Sequence, residues 1–178
     1  MMATKYLRCA ALSALLGLSL VTQAGADSLS AVIPWDGEGR VFRVSSEKVL
    51  FLGAFEGIIY VETNEGALDE GFVRCPVTQE LSLADQTTSA SGYCMITASG
   101  GDSVYAEWTC AGEVGGCRGD FNLTSGTGRF EGVSGNSKLI VRSPLHALSV
   151  NLASGSVLRV ASGIAMLPEL RYKLSQTR

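Results

Sequence analysis

The chain has 178 residues, with 14 basic against 17 acidic side chains and a formal charge of −3. Lys5 and Arg8 fall in the first 26 residues with no acid beside them, so the remainder carries 12 basic against 17 acidic residues, about −5. A net negative chain without a basic block argues against nucleic acid or an anionic membrane surface as partner.

In chain order, the first predicted element is an export signal. Lys5 and Arg8 precede an apolar run of 13 residues, Cys9 to Val21, and Ala24-Gly25-Ala26 supplies a small-x-small cleavage site before Asp27. The run is shorter than the ~20 residues of a membrane-crossing helix. Residues 1–26 therefore read as a signal peptide removed after Ala26. Residues 27–178 read as one domain, exported to the periplasm or secreted, with no membrane span.

The exported part reads as all-β. Candidate strands are Val41 to Val44, Val49 to Glu62, Phe72 to Leu83, Thr88 to Ala98, Ser103 to Cys110, Cys117 to Thr124, Lys138 to Arg142, Val157 to Ala161 and Ile164 to Leu167. Short Gly-, Asn-, Asp- and Ser-rich connections suit an antiparallel meander without substantial helix. The triplet Ala-Ser-Gly, at Ala90, Ala98, Ala153 and Ala161, reads as turns or bulges. Closure into a single barrel of about eight strands, calycin-like in shape, would remove the exposed edges of such a meander. A two-sheet sandwich fits the pattern as well.

Cys9 leaves with the signal, and Cys75, Cys94, Cys110 and Cys117 remain. In an exported domain four cysteines point to two disulfides. Bulge-free hairpins with turns centred at Ala84/Asp85, at Asp102 and between Glu113 and Val114 would set all four in one row across neighbouring strands. Strands lie ~4.8 Å apart, and a disulfide needs Cα atoms within about 7 Å. Only Cys75–Cys94 with Cys110–Cys117 then joins neighbours twice. The cysteine face also carries Val73, Val77, Leu81, Ile96, Ala106, Trp108 and Phe121, so the bridges are expected inside. Phe72, Tyr93, Met95 and Tyr105 are apolar exceptions on the opposite, mostly polar face. No C-x-x-C or paired-histidine spacing suggests a metal.

The run Gly126-Thr127-Gly128-Arg129-Phe130-Glu131-Gly132, with Gly135, lacks the Lys-Ser/Thr ending of a phosphate loop and reads as a turn entering a curved strand. It resembles the G-T-G-x-F-x-G…G signature of the allene oxide cyclase and dirigent superfamily. Cys110-Ala111-Gly112, Cys117-Arg118-Gly119 and the ending Leu167-Pro168-Glu169-Leu170-Arg171-Tyr172 are similar to exported bacterial proteins bearing that signature. The resemblance implies an eight-stranded antiparallel barrel and raises it above a sandwich. It carries no activity across, because the signature is a turn-and-strand device.

The chain shows no recognisable catalytic constellation, which points away from an enzyme. His146 is its only histidine and reads as a solvated loop residue. No cofactor motif is present. Three readings stay open. Inward Trp108 and Phe121, with Phe51 and Phe55, would line a site for a small apolar molecule, or would simply fill the barrel. The barrel would alternatively act as an allene oxide cyclase-like or dirigent-like catalyst of a cyclisation or coupling reaction. Or its outer face would bind a protein partner as an envelope or secreted scaffold. An open cavity beside Trp108 favours the first two, and an ionisable group within it separates catalyst from carrier.

Overall fold

The computed structural model describes residues 27–62, 68–144 and 157–175. They form eight strands in chain order: β1 (Asp27–Arg43), β2 (Lys48–Glu62), β3 (Leu68–Ser82), β4 (Thr87–Ala98), β5 (Ser103–Glu113), β6 (Gly116–Gly126), β7 (Ser134–Arg142) and β8 (Val157–Lys173). Each pairs antiparallel with its chain neighbour, and β8 pairs with β1 to close the barrel. The expected single all-β antiparallel barrel is therefore the fold, and no sheet edge is left to recruit another chain. His146 and the triplet at Ala153 lie outside the described residues.

Strict alternation drives closure. Along β1, Ala31, Ile33, Trp35 and Gly37 are buried while Val32, Pro34, Asp36 and Glu38 are exposed. The same period of two runs through β3, where Val73, Cys75, Val77 and Leu81 point inward. Two features of the expected strand map are corrected. The first strand is not confined to Val41–Val44 but starts at Asp27, since its glycines and single proline sit at positions where the barrel tolerates them. Val157–Ala161 and Ile164–Leu167 are halves of one strand, β8, because Ser162 and Gly163 continue the ladder to β1.

Cysteine register is the third correction. Arg74↔Met95 and Val77↔Gly92 hold β3 and β4 where the turn symmetry puts them, with Cys75 beside Cys94. The next turn is centred on Gly100, not Asp102, so Cys94 faces Ala106 and Cys110 faces Ala90. Gly101, at φ +88°, takes the left-handed position of that turn. Between β5 and β6 the two-residue turn Val114-Gly115 sets Cys110 opposite Gly119 and Cys117 opposite Gly112. The four cysteines thus do not share a row. Each displacement is an even number of residues, so every sulfur stays on the inner face. The bridges are Cys75–Cys94, with Cα atoms 4.1 Å apart, and the diagonal Cys110–Cys117, at 5.5 Å.

The signature loop forms a single 3-10 turn, Gly128–Phe130, linking β6 to β7. It clasps the β4–β5 turn. Thr127 N donates to Ser103 O at 2.8 Å, Ser103 N to Thr127 Oγ1 at 2.9 Å, and Arg129 N to an Asp102 carboxylate oxygen at 3.3 Å. Gly128 sits at φ +53° against that carboxylate, where a side chain would collide with it. Its amides therefore hold the fold together. At this lower end Ala31, Ile59, Val133, Leu167 and Leu170 are buried and plug the barrel.

Candidate functional site: an apolar lumen

Above the plug the barrel is hollow. A cavity of about 90 Å³ runs from mid-barrel to the upper end, where Gly115, Gly116 and Ser143 lie on its wall. Phe51, Phe55, Trp108 and Phe121 all line it. So does Trp35, which sequence reasoning missed because β1 was not read as a strand before Val41. The apolar, β-branched run Ala31-Val32-Ile33 leading to Trp35 is the signal that would have found it.

Phe55 is the centre of the ring cluster. Its centroid lies 4.5 Å from Trp35, 6.0 Å from Phe51 and 6.3 Å from Trp108. What keeps these rings out of the lumen is the residue beneath each. Trp35 pairs across strands with Gly163, Phe55 with Gly37, and Trp108 with Gly92. A Cβ added at Gly163 would stand 2.5 Å from the Trp35 ring, at Gly37 2.8 Å from Phe55, and at Gly92 3.1 Å from Trp108 Nε1. Each ring occupies room that a side chain on its partner strand would otherwise take. Gly92 and Gly163 close two of the Ala-Ser-Gly triplets. These two triplets are therefore strand segments seating tryptophans, and among the described residues only Ala98-Ser99-Gly100 enters a turn.

Both disulfides form part of the wall. The diagonal bridge explains its flanking glycines. A Cβ at Gly112 would lie 2.9 Å from Cys117 Cα and one at Gly119 2.7 Å from Cys110 Cα, so C-x-G on both strands lets the backbones close on the bridge.

Polar chemistry in the cavity is sparse. Glu56 contributes to the wall, but its carboxylate is solvent-exposed and accepts from Arg74 Nε at 2.7 Å on the outside. Among the described residues no other ionisable side chain lines the lumen, and no group of three His, Cys, Asp or Glu could hold a metal. Trp108 Nε1 is buried without an acceptor, which costs roughly 1–3 kcal/mol. It lies against the β4 wall at Gly92. The uncharged amide and hydroxyl side chains of the described wall are Gln79, Thr88 and Ser143, all towards the upper end. Gln79 Nε2 donates to Thr88 Oγ1 at 2.8 Å, and Thr88 Oγ1 donates to Glu80 O at 3.1 Å. Ser143 Oγ donates to Ser162 O at 2.7 Å.

Fold and site together define a class: a closed eight-stranded antiparallel barrel, twice disulfide-bridged, with an apolar lumen reaching one end. Comparison with protein-family models, with curated proteins and with solved structures gives no significant match to this chain.

Proposed function

We propose that this is an exported binding protein whose lumen takes up a small apolar molecule, with Trp35, Phe51, Phe55, Trp108 and Phe121 as the contact surface. The carrying observation is the hollow itself. Five aromatic rings line it, and three of them, Trp35, Phe55 and Trp108, stand opposite glycines on the neighbouring strand. A preformed concave apolar space is the usual form of a small-molecule site. Export is supported by the signal-like segment and by two disulfides, which persist in oxidising compartments. Strand β1 starts at Asp27, so cleavage after Ala26 would remove none of the eight strands.

Kinship with the allene oxide cyclase and dirigent superfamily is part of the proposal, supported by the signature at Gly126–Gly132 within an eight-stranded barrel. Catalysis is the less favoured reading, because among the described residues the one ionisable side chain of the lining, Glu56, turns its carboxylate to Arg74 outside. A scaffold role has one observation in its favour. Val32, Tyr60, Phe72 and Ile164 are 42, 37, 41 and 45% exposed on adjoining strands of the outer face. Contiguous exposed apolar surface of this kind marks interaction sites.

Both tryptophans of the chain line the cavity, so intrinsic fluorescence reads its occupancy. Titration with toluene should shift that emission saturably and raise the thermal midpoint. An unchanged spectrum and midpoint at saturating toluene would overturn the luminal reading. Independently, the protein isolated from its own host should begin at Asp27; a chain beginning at Met1 would remove export.

A further inference from the structure

The polar corner of the lumen has a fixed polarity, and this narrows the ligand. Thr88 has one hydroxyl proton, and it goes to Glu80 O. Thr88 Oγ1 can therefore only accept from Gln79, which forces the amide nitrogen towards Thr88 and turns the carbonyl oxygen Oε1 away from it. Gln79 is half-buried on the inner face of β3, opposite Phe51 and Ala90, so its amide belongs to the same space as the rings. Thr88 and Ser143 have committed their protons to backbone carbonyls. Gln79 Oε1 is an acceptor this corner presents to a guest, beside the second Nε2 proton of the same amide and the lone pairs of Ser143 Oγ.

Size sets the second limit. A water-sized group needs ~10–15 Å³ of such space, so 90 Å³ accommodates roughly six to nine non-hydrogen atoms. Charge sets the third. Among the described residues the one charge on the lining, Glu56, is already paired with Arg74, so the desolvation of a carboxylate or ammonium entering the apolar half would go uncompensated.

We infer that the lumen selects small, neutral, mostly apolar molecules carrying one hydroxyl group, such as a monocyclic alcohol, with Gln79 Oε1 receiving the hydroxyl proton near the upper end and the ring seated among Trp35, Phe55 and Trp108. The inference rests on the luminal-binding reading and deepens it. Guests enter ring first, with the hydroxyl left at the upper end.

Three probes separate the two levels: toluene, benzyl alcohol and benzoate, each titrated by tryptophan fluorescence against the wild-type chain and Gln79→Leu. In the wild type benzyl alcohol should bind at least as tightly as toluene, although water solvates its hydroxyl, and benzoate should bind more weakly than either. Gln79→Leu should weaken benzyl alcohol about tenfold, the value of one neutral hydrogen bond, and leave toluene within about twofold. Toluene as the tighter wild-type ligand, benzoate as the tightest, or an equal loss for both neutral ligands in Gln79→Leu would overturn the donor-selective corner while leaving luminal binding intact. Failure of all three probes to bind would overturn luminal binding itself. The wild-type comparison stands even where the variant does not fold.

Discussion

Trp108 occupies its place because Gly92, the residue opposite it on β4, has no side chain. Trp35 over Gly163 and Phe55 over Gly37 repeat the arrangement. The pairing converts sequence glycines, which read as turns when taken one by one, into seats for rings. Gly92→Ala tests it. The new methyl would meet both the Trp108 ring and the carbonyl of Pro76, a backbone atom that cannot rotate aside. Overpacking of this kind costs about 1–3 kcal/mol, to be read as a lower urea midpoint with an unchanged slope. Displacement of the indole into the lumen should also weaken toluene binding. At this scale the sequence was legible where a run was recognised as a strand: Phe51, Phe55, Trp108 and Phe121 fall on the cavity wall. Trp35 was not, because Gly37, Gly39 and Pro34 around it lower strand propensity. A closed barrel overrides that propensity by pairing β1 on both sides.

At the level of hairpins, the bridges and the register have separate causes. Each disulfide closes one hairpin, so its partners need only be near neighbours on the same face. That is why a register in error by four residues between β4 and β5 left the bridge partners unchanged. The error itself arose from treating cysteine symmetry as the guide to the turn. Turn chemistry, the Gly100-Gly101 pair with its left-handed second residue, was the better guide. The bridges should differ in weight. Cys75–Cys94 spans 19 residues and Cys110–Cys117 spans 7. Loop-closure entropy then assigns about 3 kcal/mol to the first and about 2 kcal/mol to the second. Paired replacements, Cys75→Ala with Cys94→Ala against Cys110→Ala with Cys117→Ala, should rank in that order by urea denaturation. A larger loss from the shorter loop would show that native wall packing around the diagonal bridge, and not chain entropy, sets its contribution.

For the molecule as a whole, the question is which surface carries function, the inner or the outer. Alternation made the barrel legible, because a meander with one apolar face and short turns has few other ways to hide its edges. It left the hollow illegible: a lined lumen and a packed one share the same inward residues, and only the glycine seats distinguish them. Two substitutions separate the surfaces. Ala90 lies on the wall opposite Cys110 and Gln79, half-buried, with the cavity before it. Ala90→Leu adds three carbons to that space. Because they fill a void and displace no neighbour, the barrel should keep its stability or gain about 1 kcal/mol from the added apolar burial, while toluene and benzyl alcohol lose their site. Phe72→Lys acts on the far side of the wall, on a ring already 41% exposed. It should leave both titrations unchanged and stability within about 0.5 kcal/mol. Binding that survives Ala90→Leu and disappears in Phe72→Lys would move the functional surface from the lumen to the outer face. The apolar stripe through Val32, Tyr60 and Ile164 would then be the site, and the lumen only the hollow interior of a rigid support.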